Sequence, residues 1–188
     1  MSDRQTQILE AAVRVIAQDG VRGLRIEKVA TAAGVSTALI YYHFKDRRGV
    51  VLAALAHIDH RAACYTDRTC AGADARRQVE EVLLLELQET EEVRENSIAW
   101  GELRASAVFN TDLREPLRVS TRSWTDYIES LIRQAQKENS VPAGVDAADA
   151  AERLTALVEG LSERWLSGSI TLDRARRLLS GAVAAELG

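Results

Sequence analysis

The sequence is poor in several residue types that other classes of protein need. Its 188 residues include two prolines, two cysteines, three lysines and an aromatic fraction of 5%. Two cysteines do not make a disulfide framework. Sparse Val, Ile and aromatic residues, beside abundant Ala, Leu, Glu and Arg, disfavour strands and favour helices. We therefore expect an all-α fold.

Long apolar runs are also missing. The stretch VLLLEL, Val82 to Leu87, is far too short to span a membrane. The first residues, MSDRQTQILEAA, carry charges and lack the apolar core of a signal peptide. These absences predict a cytoplasmic protein without a membrane partner.

Catalytic motifs are absent as well. GELRAS and GLSERW place Ser near carboxylates, but neither forms a nucleophile elbow, no Gly-rich phosphate loop appears, and no His follows His60. We predict no enzyme, no catalytic residue and no cofactor. His57, His60 and Cys64 share one helix face, a spacing that can hold a soft metal. Three ligands from one helix leave such a site incomplete, so we predict no metal and expect the histidines to be partly exposed.

Charge is unevenly distributed. Residues 1–49 hold eight Arg and Lys against five Asp and Glu, whereas the rest of the chain holds 16 against 23. A basic N-terminal third on an acidic body favours a polyanionic partner for that third. Chance fluctuation is the alternative.

Apolar periodicity and cap residues divide the chain into about nine or ten helices. The predicted helices cover about 4–19, 26–33, 37–44, 47–65, 75–88, 93–108, 117–137, 147–166 and 172–187. Gly20 and Gly34 are expected stops, and Ser36, Asp46, Asp112 and Asp146 are expected N-caps.

Residues 26–44 carry a helix-turn-helix pattern. Ala30 is small enough for two helices to cross, Gly34 accepts a left-handed backbone, and Ile40 anchors the second helix. The apolar Leu39 and the aromatic Tyr42 should then point outward. On a recognition helix they would reach thymine methyl groups and phosphate oxygens of DNA. A bare helical hairpin, or a partner-binding adaptor, is the alternative.

The stretch VATAAGVSTALIYYHFKDRRGVVLAAL closely resembles the DNA-binding end of TetR-type transcriptional repressors. The resemblance implies a helix-turn-helix domain over residues 1–48 and a helical ligand-sensing and dimerisation domain over 49–188. It also implies a homodimer that binds a palindromic operator in double-stranded DNA and releases it on binding a small-molecule effector. Leu24 stands where the family often has a phosphate-binding Thr, so Arg25 is expected to take over, and Arg47 replaces a more usual Lys. The expected DNA contacts are Arg25, Ser36, Thr37, Ala38, Leu39, Tyr41, Tyr42, His43, Lys45 and Arg47.

The rest of the chain is similar to a branch of this family that resembles choline-responsive repressors. Three tryptophans stand out in a chain with few aromatics. An apolar effector pocket is one interpretation of them, and packing in the core is the other. The candidate pocket residues are Trp100, Arg104, Trp124, Tyr127 and Trp165. The helices around 117–137 and 147–166 resemble the two helices that make the four-helix dimer interface of this family. Small residues are expected to permit close approach there, namely Ala147, Ala150, Ala151 and Gly160. Gly160 could serve either the interface or the pocket wall.

Overall fold

The computed structural model describes residues 3–67 and 74–188, with side chains described except at 63–67. This part of the chain contains nine α-helices, one short 3₁₀ turn and no strand, which confirms the all-α prediction. The helices are α1 (Asp3–Gly23), α2 (Ile26–Ala33), α3 (Thr37–Phe44), α4 (Arg47–Asp67), α5 (Ala75–Leu85), α6 (Glu91–Ala107), α7 (Arg114–Lys137), α8 (Ala147–Leu166) and α9 (Leu172–Leu187), with the 3₁₀ turn at Thr111–Leu113. No helix in the described ranges is both long enough and apolar enough to cross a membrane.

Local capping explains most helix ends. The Ser36 hydroxyl accepts the Leu39 N–H at 3.3 Å, and an Asp146 carboxylate oxygen accepts the N–H groups of Ala148 and Asp149 at 3.0 and 3.1 Å. Each bond satisfies an amide that the first turn of a helix leaves unpaired. Both of these N-cap predictions are confirmed.

One predicted cap was wrong. The Asn110 side chain, not that of Asp112, caps the 3₁₀ turn by accepting the Asp112 N–H at 3.1 Å. Helix α7 then begins at Arg114, three residues earlier than expected. Pro116 does not prevent this early start because a proline in the first turn needs no intrahelical N–H bond.

The chain divides into two compact units. The first contains Met1–Ala62 and Glu95–Val119, so α6 and the start of α7 belong with α1 to α4. The physical reason is a shared apolar core, in which Ala99, Leu103 and Leu113 are at most 1% exposed. The domain boundary after residue 48 stays a prediction.

Polar contacts also join α4 to α6 within the first unit. Arg61 and Glu95 form an ion pair at 2.8 Å, with both side chains less than one-fifth exposed. The buried Asn96 donates its side-chain N–H to the Ile58 carbonyl oxygen at 3.4 Å. Because both charged side chains are largely buried, salt screens the Arg61–Glu95 attraction less than that of an exposed pair.

The second unit contains Ala63–Arg94 and Ser120–Gly188. Its core lies among α5, α7, α8 and α9. Ala147, Ala150 and Ala151 are at most 3% exposed, so they pack inside this chain's own core. The expectation that these three alanines lie at a dimer interface was therefore wrong. Gly160 differs, since it is exposed and a Cβ there would meet nothing within 4 Å.

Candidate DNA-binding surface

The turn between α2 and α3 has the geometry that the sequence pattern predicted. Gly34 adopts φ 62° and ψ 36°, the left-handed conformation that a residue without a side chain takes at little cost. The Val35 N–H then donates to the Ala30 carbonyl oxygen at 3.0 Å, which closes the end of α2. Ala30 itself is 6% exposed. The helix-turn-helix is thus built as expected.

One face of α3 holds the helix to the first unit. Ile40 is completely buried, and the half-buried Phe44 packs against the same core. Leu39 is also half-buried and packs there, although the sequence placed it on the outer face. In a helix of only eight residues, a side chain one position before the buried Ile40 still lies beside the core.

The outer face of α3 is aromatic and polar. Tyr42 is 81% exposed and Tyr41 is 47% exposed, so both large side chains present accessible surface on this face. The Tyr42 ring meets the His43 ring edge-on, with centroids 5.1 Å apart. Ser36 and Ala38 are exposed at the start of the helix, while Thr37 and His43 are half-buried.

A tight, strained turn joins α3 to α4. Lys45 adopts φ 66° and ψ −52°, and the Asp46 N–H donates to the Phe44 carbonyl oxygen at 2.8 Å. These values describe the γ-turn form that side chains rarely adopt. Asp46 Oδ1 then accepts the Gly49 N–H at 2.7 Å, as a cap for α4. A Cβ at Gly49 would lie 1.9 Å from the Phe44 carbonyl oxygen, so only glycine fits.

Arg47 has a contact that the sequence did not indicate. Its Nε donates to the Leu24 carbonyl oxygen at 2.8 Å, and its Nη2 donates to the Val21 carbonyl oxygen. The guanidinium therefore ties the start of α4 to the turn between α1 and α2. Two of its five N–H donors are used in this way.

Arg25 lies beyond that turn, at the N-cap of α2. Its side chain is exposed and makes no capping hydrogen bond. The first amides of α2 therefore lack the side-chain acceptor that Ser36 provides for α3. A helix start of this kind, next to a cation, suits a phosphate oxygen.

The break in α1 is held from α6. Gly20 has φ 72° and ψ 169°, which interrupts the helix where the sequence predicted a stop. Glu102 Oε2 accepts the Val21 N–H at 3.4 Å, and a Cβ at Gly20 would lie 2.6 Å from that same oxygen. The backbone of Val21 therefore bonds to two distant side chains. Its N–H donates to Glu102, and its carbonyl oxygen accepts from Arg47.

The candidate pocket residues are divided between the two units. In the first unit, the Arg104 guanidinium carbon lies 5.4 Å from the Trp100 ring centroid, so these side chains share a helix face as predicted. In the second unit, Trp124 and Tyr127 have ring centroids 6.1 Å apart. There Trp165 is 8% exposed, and the Arg94 guanidinium carbon lies 5.2 Å from its ring centroid. Arg94 was not predicted, because no sequence spacing relates α6 to α8.

The histidines of α4 differ from expectation. His57 is only 5% exposed, so the prediction that it is partly exposed was wrong, while His60 is exposed. The side chain of Cys64 lies outside the described residues. Among the side chains that the structure describes, no cluster of His, Cys, Asp or Glu could hold a metal ion.

A short helix anchored on its inner face by Ile40, with tyrosines outside and a basic end, defines a helix-turn-helix DNA-binding protein. Residues 8–54 match the family model for bacterial regulatory proteins of the tetR family, and residues 75–188 match the model for the C-terminal part of BetI-type transcriptional repressors. The chain belongs to the TetR family and is a transcriptional regulator of the BetI type.

Individual relatives agree with this family. The HTH-type transcriptional regulator BetI of Burkholderia mallei is 27% identical over 169 residues, which cover 89% of this chain and 82% of that protein. The structure of a putative TetR-family transcriptional regulator from Rhodococcus sp. is 46% identical, with full coverage of both chains and a TM-score of 0.95. A putative transcriptional regulator from Saccharomonospora viridis in complex with choline is 29% identical, with a TM-score of 0.85 and coverage of 98% of this chain and 96% of that one.

Proposed function

We propose that this regulator acts in the cytoplasm as a homodimeric repressor and not as an enzyme. Each subunit places α3 in the major groove of a palindromic operator, and a small-molecule effector releases the DNA. The observation that carries the proposal is the outer face of α3, where Tyr42 is 81% exposed on a helix fixed by the buried Ile40. A large aromatic side chain that its own chain leaves mostly accessible is well placed to contact a partner.

The groove contacts come from the outer face of α3. Tyr41 and Tyr42 offer hydroxyls to phosphates, and Ala38 offers a methyl group to a thymine methyl. Leu39 contributes only the part of its side chain that the core leaves accessible. Ser36 and Thr37 lie at the helix start, where backbone amides favour an anion, and His43 supports the Tyr42 ring.

Two exposed cationic side chains belong to the same helix-turn-helix region. Lys45 is exposed at the strained turn, and Arg25 is exposed at the start of α2. We assign both to the phosphate backbone, which supplies most of the salt-dependent affinity of such proteins. Arg47 donates two hydrogen bonds to backbone carbonyl oxygens, so we assign it a positioning role. Its remaining N–H donors are assigned to a DNA phosphate.

Dimerisation is proposed through α8 and α9, whereas the family resemblance implied α7 and α8. Gly160 on α8 and Gly181 on α9 are exposed, and a Cβ at either position would meet nothing within 4 Å. Exposed Ala156 and Ala185 lie four residues from these glycines on the same helix faces. Small residues on both helices would let the backbones of two copies approach closely. Two recognition helices on one dimer would match the two halves of a palindrome.

Each unit offers its own candidate effector site. Trp100 and Arg104 form the candidate in the first unit, and Trp124, Tyr127 and Trp165 form the alternative in the second unit. An arginine guanidinium lies over the Trp100 ring, and another lies over the Trp165 ring. Because the face of an indole ring attracts cations, we propose an organic cation as the effector. Choline, which the Saccharomonospora viridis relative binds, is the first candidate. Tryptophan fluorescence during a choline titration tests this, and variants with Phe at each Trp identify the ring that responds. An unchanged signal on DNA-binding protein, for choline and a wider effector screen, would favour core packing for all three.

The DNA contact is tested by Tyr42→Ala. Genomic selection of bound DNA first identifies the operator, and gel shift then compares wild type with the variant. We expect operator affinity to fall by at least about tenfold, on the order of the 1–3 kcal/mol of one good contact in each subunit. Phe109→Ala is the matched control, since Phe109 is 79% exposed but lies outside α3. Equal affinity of the two variants, with dimerisation intact by sedimentation, would refute the groove assignment.

A further inference from the structure

A cavity of about 300 Å³ lies within the first unit, between α1, the end of α3 and α4. None of its lining residues belongs to the effector site proposed above. The lining residues are Gln5, Leu9, Phe44, Ala53, Ala56, His57 and His60. Since a water molecule occupies about 30 Å³ of liquid, the space holds on the order of ten non-hydrogen atoms.

One polar side chain in the cavity wall lacks an internal partner. His57 is only 5% exposed, and neither its Nδ1 nor its Nε2 has a hydrogen-bond partner among the described residues. Burying a polar group without a partner costs free energy, and native proteins seldom leave such groups unsatisfied. A ligand that hydrogen-bonds to His57 would recover that loss.

The lining also limits the chemistry of a ligand. Leu9, Phe44, Ala53 and Ala56 present carbon, so the body of the ligand should be apolar. Burial, followed by the nearby Arg61 charge, lowers the pKa of His57 below its ordinary value of 6.5. The ring is therefore neutral at pH 7 and offers one donor and one acceptor. A hydroxyl group matches either nitrogen without bringing a charge into the cavity.

We propose that this cavity is a second small-molecule site, which takes an uncharged ligand with an apolar body and one hydroxyl group bound to His57. The consequence for DNA follows from Phe44, which is both a cavity wall and the last residue of α3. A ligand packed against Phe44 changes the support of the recognition helix directly next to the strained Lys45. This coupling, unlike the site itself, rests on the proposed function.

The site is tested by NMR of histidine ring nitrogens, which is well resolved because the chain has three histidines. The probe is para-ethylphenol, and ethylbenzene is its matched control without the hydroxyl group. We expect para-ethylphenol to shift the His57 ring signals at saturable concentration. Ethylbenzene should bind about three- to tenfold more weakly, which corresponds to one neutral hydrogen bond.

Two variants complete the test. His57→Phe should erase the preference for para-ethylphenol over ethylbenzene. Ala56→Leu should block both ligands by filling the cavity, and it is compatible with folding because Ala56 is exposed at the rim. Ala105→Leu, the same change at an exposed position of α6, should leave binding unaltered.

Three results would overturn the site. They are the absence of any His57 shift up to the solubility limit of the probe, equal affinity for the two probes, and unaltered binding by Ala56→Leu. Operator binding is then measured with and without para-ethylphenol, in wild type and Ala56→Leu. A ligand effect confined to wild type supports the coupling. Operator binding that ignores a bound probe overturns the coupling, whereas failure to bind any operator without the probe refutes the proposed function instead.

Discussion

Lys45 holds a backbone conformation that side chains other than glycine rarely adopt. Its φ of 66° and ψ of −52° place it in the turn that separates α3 from α4. Such a residue costs about 1–3 kcal/mol, and this strain is retained only where the surrounding structure enforces it. Here the capping by Asp46 and the close approach at Gly49 enforce it. The exposed ammonium group is thereby fixed at the end of the recognition helix.

Replacing this side chain should separate stability from DNA binding. We expect Lys45→Gly to raise the free energy of unfolding by about 1 kcal/mol, since glycine adopts positive φ without the steric cost. The same variant should reduce the salt dependence of operator binding by about one phosphate contact per subunit. Urea denaturation and binding at several salt concentrations measure the two effects.

Asn139→Gly is the matched control for stability. Asn139 is the other non-glycine residue with positive φ, at 59°, in the part of the chain that the structure describes. Asparagine tolerates this region better than lysine, so its replacement should gain less. A Lys45→Gly protein that is no more stable than wild type would show that the turn carries no strain.

Helix α4 is joined to its surroundings by polar contacts along its length. At its start, Arg47 donates to two carbonyl oxygens of the turn between α1 and α2. Further along, Arg61 pairs with Glu95 of α6. An element fixed at both places can transmit a displacement at α6 to the end of α3, because packed helices move as rigid bodies.

The start of α4 can be tested through Arg47→Leu. We expect a loss of about 2 kcal/mol in the free energy of unfolding, because two carbonyl oxygens lose a charged donor. Arg48→Leu is the neighbouring control. Arg48 pairs with the half-exposed Asp112 at 3.1 Å, so its replacement should cost less than about 1 kcal/mol. Thermal or urea unfolding compares the two. Equal losses would mean that the Arg47 contacts add nothing to stability.

The middle of α4 should make folding sensitive to pH. Burial lowers the pKa of His57, as does the nearby Arg61 charge, against a smaller raising effect of Glu10 and a further lowering effect of His60. The unfolded chain therefore binds this proton more readily than the folded chain. Stability is complete above the unfolded value of 6.5 and is lost as the pH falls from there through the lowered pKa of the folded state.

His57→Leu should remove this loss. We expect wild type to lose more stability than the variant between about pH 7.5 and about pH 5.5, measured as the urea midpoint. Ala105→Leu serves as the control, because it adds an apolar side chain at an exposed position of α6 and leaves His57 in place, so it should keep the wild-type pH dependence. Parallel pH profiles for wild type and His57→Leu would contradict the prediction.

Sequence patterns predicted the helix boundaries more accurately than the contacts between helices. Boundaries of α2, α3 and α9 coincide with the predicted ranges, because caps and glycine stops act within a few residues. The prediction that Tyr42 points outward also rests on periodicity within one helix, and it is confirmed. Leu39 was misplaced, because periodicity in an eight-residue helix cannot state how much of a side chain its neighbours cover.

Contacts over long sequence separations were missed. The pairing of Arg47 with Val21 and Leu24 links positions about 25 residues apart, and Glu102 reaches Val21 across 81 residues. No spacing within a single helix encodes such a meeting. His57 likewise lies near α1, which is far from it in the sequence, so periodicity along α4 did not indicate its burial.

At the scale of the whole molecule, DNA binding by the proposed mechanism depends on two copies. The exposed Gly160 is the clearest marker of a contact face, since glycine in a helix interior costs about 1 kcal/mol relative to alanine. In this chain no described side chain approaches a Cβ at that position within 4 Å. The cost is therefore not explained by packing inside the described part of one subunit.

Gly160→Leu should block the dimer without weakening the subunit. We expect the dimer dissociation constant to rise by at least about tenfold, because an overpacked contact costs about 1–3 kcal/mol. Sedimentation measures the dimer, and gel shift should show a parallel loss of operator affinity. Gly144→Leu is the control in an exposed loop, where a Cβ also meets nothing. An unaltered dimer would exclude this face of α8 from the interface.

The break at Gly20 has a consequence for synthesis and for protein engineering. The Val21 N–H donates to Glu102 of α6, and the core of the first unit includes Leu103 and Leu113. A ribosome must therefore release α6 before the helix-turn-helix can complete its packing, so the first 62 residues emerge as an unfinished unit. A chimera that grafts only residues 1–48 onto another sensor would leave apolar surface uncovered. A graft that carries Met1–Ala62 together with Glu95–Val119 would keep that surface covered.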